Sequence, residues 1–218
     1  MDRPREILER LLAHHGSQRW WPAETPFEII VGALLMQRTA WRNVATAIQN
    51  LKAAGLLEVH ALAAAPLPVL RKHVRIAGLY RTKPARLRAF CRHLLDRSDG
   101  DLDRYFRRPT AEVRADLLAQ DGVGPETADS ILLYAGGHPV FVVDAYTIRI
   151  GRRIGLFATD DYGTIQRFFE RRIPPDVEGY REYHALLVAH ATSLCRPTPR
   201  CEACPVQSLC DVGRRVHR

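Results

Sequence analysis

No stretch of this 218-residue chain comes near the run of about 20 apolar residues that a membrane-spanning helix needs. Its opening decapeptide, MDRPREILER, lacks the apolar core of a secretion signal. Membrane insertion and export are therefore not expected, and a cytoplasmic location is. Internal repeats and low-complexity tracts are also missing, so the chain reads as one globular domain or two closely packed ones. Strand signals are scarce too. Only Pro139 to Val143, after Gly136-Gly137, is short, apolar and strand-like, and it fits an extended connection better than a sheet. Cysteines are few, and they are not spread as a disulfide framework would be: Cys91 stands alone and the other four crowd between Cys195 and Cys210.

What is present is ordinary in amount and uneven in kind. An apolar fraction of 46% and a charged fraction of 26% are those of a globular protein. The 32 Lys and Arg against 24 Asp and Glu leave a net charge of +8, which favours polyanionic partners through counterion release. Apolar residues recur at helical spacing over Arg5 to His15, Phe27 to Met36, Val44 to Leu51 and Ala85 to Leu95. Pro84 marks a helix start just after Thr82 or Lys83, and Thr110 is placed to cap a helix over Ala111 to Ala119. Further helices are predicted from Pro125 to about Tyr134, from Ala145 to Arg153, and from Asp176 to Leu194. The predicted fold is all-α.

The most informative segment is LLAQDGVGPETADSILLYAGGHPVFVVDAYTIRI, Leu117 to Ile150. A helix ends near Gln120, Gly122-Val123-Gly124 turns the chain, and Pro125 begins a new helix. Glycines allow positive φ and close approach to another molecule, while the helix start offers unpaired amides to a phosphate. Val123 is expected to point inward and hold the turn. Such a turn also occurs in many helix pairs with no ligand.

The pairing of this turn with VVDAYTIRI, whose Asp144 lies twenty residues beyond Gly124, resembles the helix-hairpin-helix glycosylases typified by endonuclease III. That resemblance implies a base-excision DNA N-glycosylase whose hairpin residues Gly122, Val123, Gly124 and Thr127 grip the DNA backbone. It implies that Asp144 is the catalytic carboxylate. The chemistry suits it, since cleaving an N-glycosidic bond builds oxocarbenium character that a nearby carboxylate stabilises, and the same group can orient the attacking water. A purely structural role is equally natural: Asp144 precedes Ala145 to Arg153 where an N-cap belongs.

Bifunctional members of that family carry a lysine two residues after the second hairpin glycine, which forms a Schiff base and leads to strand cleavage. Here that position is Glu126, and a carboxylate cannot form an imine. A monofunctional enzyme is expected. Glu126 also suits the first turn of a helix electrostatically.

All three tryptophans fall early, Trp20 and Trp21 before Pro22 and Trp41 after Met36-Gln37-Arg38-Thr39. A base taken out of the duplex is held against aromatic faces, and an indole attracts a cationic alkylated purine. Trp21 and Trp41, with Trp20 second to them and Glu126 nearby, are the candidate substrate pocket. Each tryptophan has a plain alternative as a core residue. The family resemblance implies that Gln37 fills the gap left by the flipped nucleotide, with Arg38 on phosphate. The Trp-Trp-Pro run and the hairpin glutamate resemble a narrower branch, the 3-methyladenine glycosylases of endonuclease III type. This implies alkylated purines as substrates.

Cys195, Cys201, Cys204 and Cys210 are separated by five, two and five residues. Four thiolates so spaced fit a [4Fe–4S] cluster or a tetrahedral zinc ion, and spacing does not choose between them. The endonuclease III resemblance favours the cluster, although the first interval here is one residue shorter. Arg196, Arg200, Arg214, Arg215 and Arg218 make this region basic.

The resemblance extends to GLYRTKPARL before the hairpin and covers nearly the whole chain. It implies two helical lobes with a DNA-binding cleft. One is a six-helix lobe over residues 24–136 that holds the hairpin at about 111–136. The other comprises residues 1–23 plus 137–218, with the catalytic aspartate and the cysteine loop 195–210. The expected partner is double-stranded DNA containing damaged bases, bound by a monomer associated with the nucleoid. Two other readings stay open: an endonuclease III-like enzyme for oxidised pyrimidines with weak lyase activity, and a non-catalytic binder of damaged DNA.

Overall fold

The computed structural model describes residues 3–215, so Arg218 lies outside the described residues. It forms two compact units, one made of Met1–Pro22 and Pro139–Arg218 and the other of Ala23–His138. Both are built of helices, and no strand occurs among the described residues.

Helix α1 (Arg3–His15) opens the first unit and buries Pro4, Ile7 and Leu11, three and four residues apart and therefore on one face.

The second unit begins with α2 (Pro26–Leu35), which buries eight of its ten residues. A helix apolar on every side belongs at the centre of a core. Its start is strongly specified: Thr25 accepts the Glu28 amide at 3.2 Å and Pro26 takes the first turn. The Glu28 carboxylate, though buried, accepts from the Glu24 amide at 3.2 Å and pairs with Lys52 at 3.1 Å. Around α2 come α3 (Trp41–Ala53), α4 (Val59–Ala64), α5 (Leu67–Val74), α6 (Lys83–Ser98), α7 (Leu102–Phe106), α8 (Thr110–Leu118) and α9 (Pro125–Ser130). Where six helices are expected, this unit holds eight α-helical segments among the described residues, of which α4, α7 and α9 have six residues or fewer.

Two details differ from expectation. Thr110 is the first helical residue and Pro109 the cap; the threonine hydroxyl instead meets His138 Nδ1 at 2.9 Å. The helix after the hairpin is α-helical only to Ser130, then widens into a π turn over Ile131–Ala135. That turn places Ile131, Leu132, Leu133 and Tyr134 all in the core.

The chain then re-enters the first unit through Pro139–Val143, which is extended but pairs with no strand. Four of its residues, Val140 to Val143, are buried, so its backbone polar groups need partners. Side chains of α11 (Tyr162–Glu170) supply them, after α10 (Ala145–Ile154) has intervened. Glu170 accepts from the Phe141 amide at 3.1 Å and Gln166 donates to the Phe141 carbonyl at 2.8 Å. A helix thus does what a neighbouring strand would do. Phe141 stacks on Phe169 with ring centroids 4.3 Å apart, and α12 (Val177–Ser193) covers both with Tyr180 and Tyr183. Tyr183 reaches the Pro4 carbonyl at 2.8 Å, joining α12 to α1. Three short 3-10 turns, Cys201–Ala203, Gln207–Leu209 and Gly213–Arg215, carry the end of the chain.

Candidate active site

Asp144 caps α10. Its Oδ1 accepts the Thr147 amide at 2.7 Å and the Thr147 hydroxyl at 2.8 Å. Both bonds fall on one oxygen, so Oδ2 is not engaged by the cap and faces His184 Nε2 of α12 at 3.7 Å. Burial by itself would raise the carboxyl pKa, but His184 and then Thr147 outweigh it and hold Asp144 below the usual carboxylate value. The site is therefore a buried, ionised carboxylate whose orientation is set by its own helix. An anion so placed stabilises positive charge developing on a sugar and can orient or take a proton from water. His184 escaped the sequence reading because it lies forty residues further along the chain, and nothing in its local pattern links it to Asp144.

The hairpin is built within the other unit. Gly122 has φ +78°, where glycine is favoured, and a Cβ there would lie 2.6 Å from the Arg86 side chain. Gly124 has φ −92° and open space around a Cβ, so its backbone conformation does not call for glycine. Val123 is buried, as a turn-holding residue should be. The two helices of the hairpin are clamped by a bidentate pair, Arg114 of α8 to Asp129 of α9 at 2.7 and 3.0 Å, with Asp129 wholly buried. Glu126 and Thr127 lie in the first turn of α9, Glu126 exposed.

Gln37 follows α2 and donates to the Gly122 carbonyl at 2.5 Å. The segment carrying it is anchored from beneath by Lys83, whose buried ammonium donates to the carbonyls of Leu35 at 2.8 Å, Gln37 at 2.7 Å and Ala77 at 2.6 Å. Burial lowers the Lys83 pKa. In the sequence Lys83 stands out at a helix start and within the GLYRTKPARL resemblance; the structure makes it the link between Gln37 and the turn at Ile76 to Tyr80. That turn exposes Ile76, Leu79 and Tyr80, and Leu79 adopts φ 44°, unusual for a leucine. Arg38 is exposed, also with positive φ, 53°. Trp20 and Trp21 belong to the first unit, their rings 5.1 Å apart and tilted by 46°, and Trp41 opens α3 in the second. All three are half-buried.

The cysteines form a separate centre in the unit of Asp144. Cys195, Cys201, Cys204 and Cys210 line one small pocket of about 20 Å³, whose other walls include Ile150, Ile154, Leu194, Val206 and Val212. No three His, Cys, Asp or Glu side chains among the described residues are grouped closely enough to hold a single metal ion. Four soft thiol ligands at an apolar pocket suit a metal centre, a tetrahedral ion or a cluster of several atoms. Burial raises the Cys201 thiol and pushes Cys204 up to about 11. Donors already point at the sulfurs: Arg153 reaches Cys195 Sγ at 3.4 Å and the Gly213 amide reaches Cys210 Sγ at 3.3 Å.

The chain belongs to the HhH-GPD superfamily of base excision DNA repair proteins, whose family model matches residues 31–175. It is 42% identical over 208 residues, 94% of each chain, to a Methanocaldococcus jannaschii protein provisionally assigned as a DNA repair glycosylase. It is 28% identical to endonuclease III of Thermotoga maritima, covering 97% of this chain and 92% of that one. Among solved structures it is similar to the H. pylori 3-methyladenine DNA glycosylase bound to 1,N6-ethenoadenine. That match has a TM-score of 0.79 at 28% identity and covers 88% of this chain and 98% of the other.

Proposed function

We propose that this enzyme is a monofunctional DNA N-glycosylase that removes alkylated purines, with 3-methyladenine as the representative substrate. The observation that carries the reading is Glu126. It occupies the hairpin position from which a lysine would attack the sugar, and its carboxylate cannot form a Schiff base. Water is then the nucleophile. It adds to the sugar carbon as the N-glycosidic bond breaks, the bonding pair leaves with the base, and the water's proton passes to the Asp144 carboxylate or to solvent. Asp144 Oδ2 stabilises the oxocarbenium character between the two events. An N3- or N7-alkylated purine is already cationic and leaves as a neutral base, so no acid is required. Electron-rich indoles at Trp20, Trp21 and Trp41 suit such a base, and likeness to a 3-methyladenine glycosylase supports the same class.

On this reading Gln37 and Arg38, with the hairpin residues Gly122, Val123, Gly124 and Thr127, form the DNA-contacting set. Exposed Leu79, tied to the Gln37 segment through Lys83, adds an apolar side chain of the kind that enters a base step. Cys195, Cys201, Cys204 and Cys210 would hold a [4Fe–4S] cluster; the endonuclease III likeness favours it over zinc, the lesser candidate. Bound there, the cluster would cross-link the terminal loop and keep its arginines in place. The enzyme would act as a monomer on damaged duplex DNA in the cytoplasm.

The cysteine module and the endonuclease III likeness favour a second reading, oxidised pyrimidines as substrates. The built carboxylate site speaks against a non-catalytic binder. The deciding experiment is base release from duplexes carrying 3-methyladenine, 7-methylguanine or thymine glycol, with borohydride trapping on abasic DNA alongside. Alkylpurine release without a trapped adduct is expected. Thymine glycol release would move the enzyme to the second reading, and efficient trapping would end the monofunctional one.

A further inference from the structure

His190 lies in the last turn of α12, 1% exposed, between a second histidine and a cysteine. His15 Nε2 at the end of α1 is 3.2 Å from His190 Nδ1. On the other side of the ring, His190 Nε2 is 3.5 Å from Cys204 Sγ. The backbone of the same residue serves another cysteine, since the His190 carbonyl accepts the Cys195 amide at 2.8 Å. One buried residue thus contacts the Cys204 sulfur and holds the backbone of Cys195.

The ring positions define a single consistent proton arrangement. A sulfur that ligates a metal is a thiolate and can only accept. His190 Nε2 must then carry a hydrogen to make the contact favourable. Two ring nitrogens 3.2 Å apart need one donor and one acceptor, so with the hydrogen on Nε2 the His190 Nδ1 accepts and His15 Nε2–H is the matching donor. The chain runs His15 Nε2–H to His190 Nδ1, and His190 Nε2–H to Cys204 Sγ.

We infer that His190 is a positioning residue for the cysteine-held cluster: it donates an N–H···S hydrogen bond to Cys204 in a tautomer set by His15. This rests on the proposed cluster. Hydrogen bonds to ligand sulfurs stabilise the more negative, reduced state and raise the reduction potential, and partners behind the ligands govern how firmly a metal centre is held.

The test measures three things on the full chain: iron content, reduction potential by voltammetry, and loss of the visible absorbance in air. His190→Leu should keep its iron when freshly made but lower the potential by an amount equivalent to a tenfold change in the redox equilibrium, about 59 mV for one electron. It should also bleach several-fold faster. His190→Gln, whose amide can accept from His15 and donate to sulfur, should recover most of both losses. Should His190→Leu fail to fold, the half-exposed His15→Leu removes the tautomer-setting donor and should shift the potential the same way by less. Equal potentials and bleaching rates in iron-loaded wild type and both leucine variants would overturn the inference. Wild type purified anaerobically without iron would remove the cluster reading itself and this role with it.

Discussion

Asp144 and Arg153 stand at opposite ends of α10. The aspartate caps the first turn by accepting from Thr147, and the arginine in the last turn donates to the carbonyls of Arg196 at 2.5 Å and Pro197 at 2.8 Å. One helix about 14 Å long therefore joins the candidate catalytic carboxylate to the loop between the first two cysteines. Arg149, one turn earlier on the same helix, adds a bond to the Cys195 carbonyl at 3.0 Å. Arg153→Ala should leave that loop poorly held. Release of iron to a chelator, followed by visible absorbance, should speed up several-fold, and an unchanged rate would show that the arginine does not secure the loop.

Asp144→Asn separates chemistry from capping. Asparagine caps helices about as well as aspartate, so stability should change by less than about 1 kcal/mol. Single-turnover base release should fall by about 10²–10³-fold or more, because the amide carries no charge to set against the oxocarbenium. A large loss of thermal stability with little loss of rate would instead make Asp144 a structural residue.

The hairpin position can be tested by gain of chemistry. Wild type should give no borohydride-trapped complex with abasic DNA. Glu126→Lys places an amine in the first turn of α9 and should give a detectable trapped band, even if slowly formed. Absence of any adduct in the variant would mean that this position does not face the sugar.

The clamp beneath the hairpin carries a stability prediction. Asp129→Asn leaves the Arg114 guanidinium facing a neutral amide in a buried site. Because Arg114 is 31% exposed and can still donate to the amide oxygen, the cost should be about 1–3 kcal/mol, to be read from the urea unfolding midpoint. DNA affinity should fall as well, since α8 and α9 lose the contact that fixes their turn.

Acid stability should depend on Asp116. Burial pushes this carboxyl up, but bonds from His93, Arg108 and Tyr105 overcome that and bring it to about 2. A depressed value means that the folded state binds the proton less readily than the unfolded chain. The stabilisation is thus complete above the unfolded value near 3.8 and is lost as pH falls from there towards about 2. Wild type should lose about 1–2 kcal/mol over that window through this group. Asp116→Asn should be less stable at neutral pH and show a flatter acid limb in thermal denaturation; an identical limb would remove Asp116 from the account.

Several features were legible in the sequence because their causes are local. An aspartate three residues before its amide partner, a proline in a first turn and a glycine at positive φ each act over one turn of chain. The cap at Asp144 and the turn at Gly122 follow from that, whereas the threonine cap expected at Thr110 falls one residue inside the helix. So does the cysteine set, whose close spacing is itself the signal. The short helices α4, α5 and α7 were missed because each is too brief to show a full period, and helices of that length persist only through packing. Helix α11 was missed as well, and it satisfies the backbone of Pro139–Val143. The sequence places that apolar run as an extended connection, and α11 supplies the hydrogen-bond partners that its pattern does not announce.

The helical class, the hairpin turn, the capping aspartate, the glutamate in the hairpin and the four close-set cysteines are set by the sequence alone, because each resides in residue type and short spacing. The tertiary structure decided that His184 faces Asp144, that Lys83 holds the Gln37 segment, that Asp116 gathers four side chains, and that His15, His190 and Cys204 form one hydrogen-bonded line. These partners lie from 8 to 175 residues apart in the chain, and half are more than 20 apart. Only the packing of apolar faces brings them within bonding distance, and hydrophobic burial is non-directional, so no local pattern of residues announces which polar groups it will make neighbours.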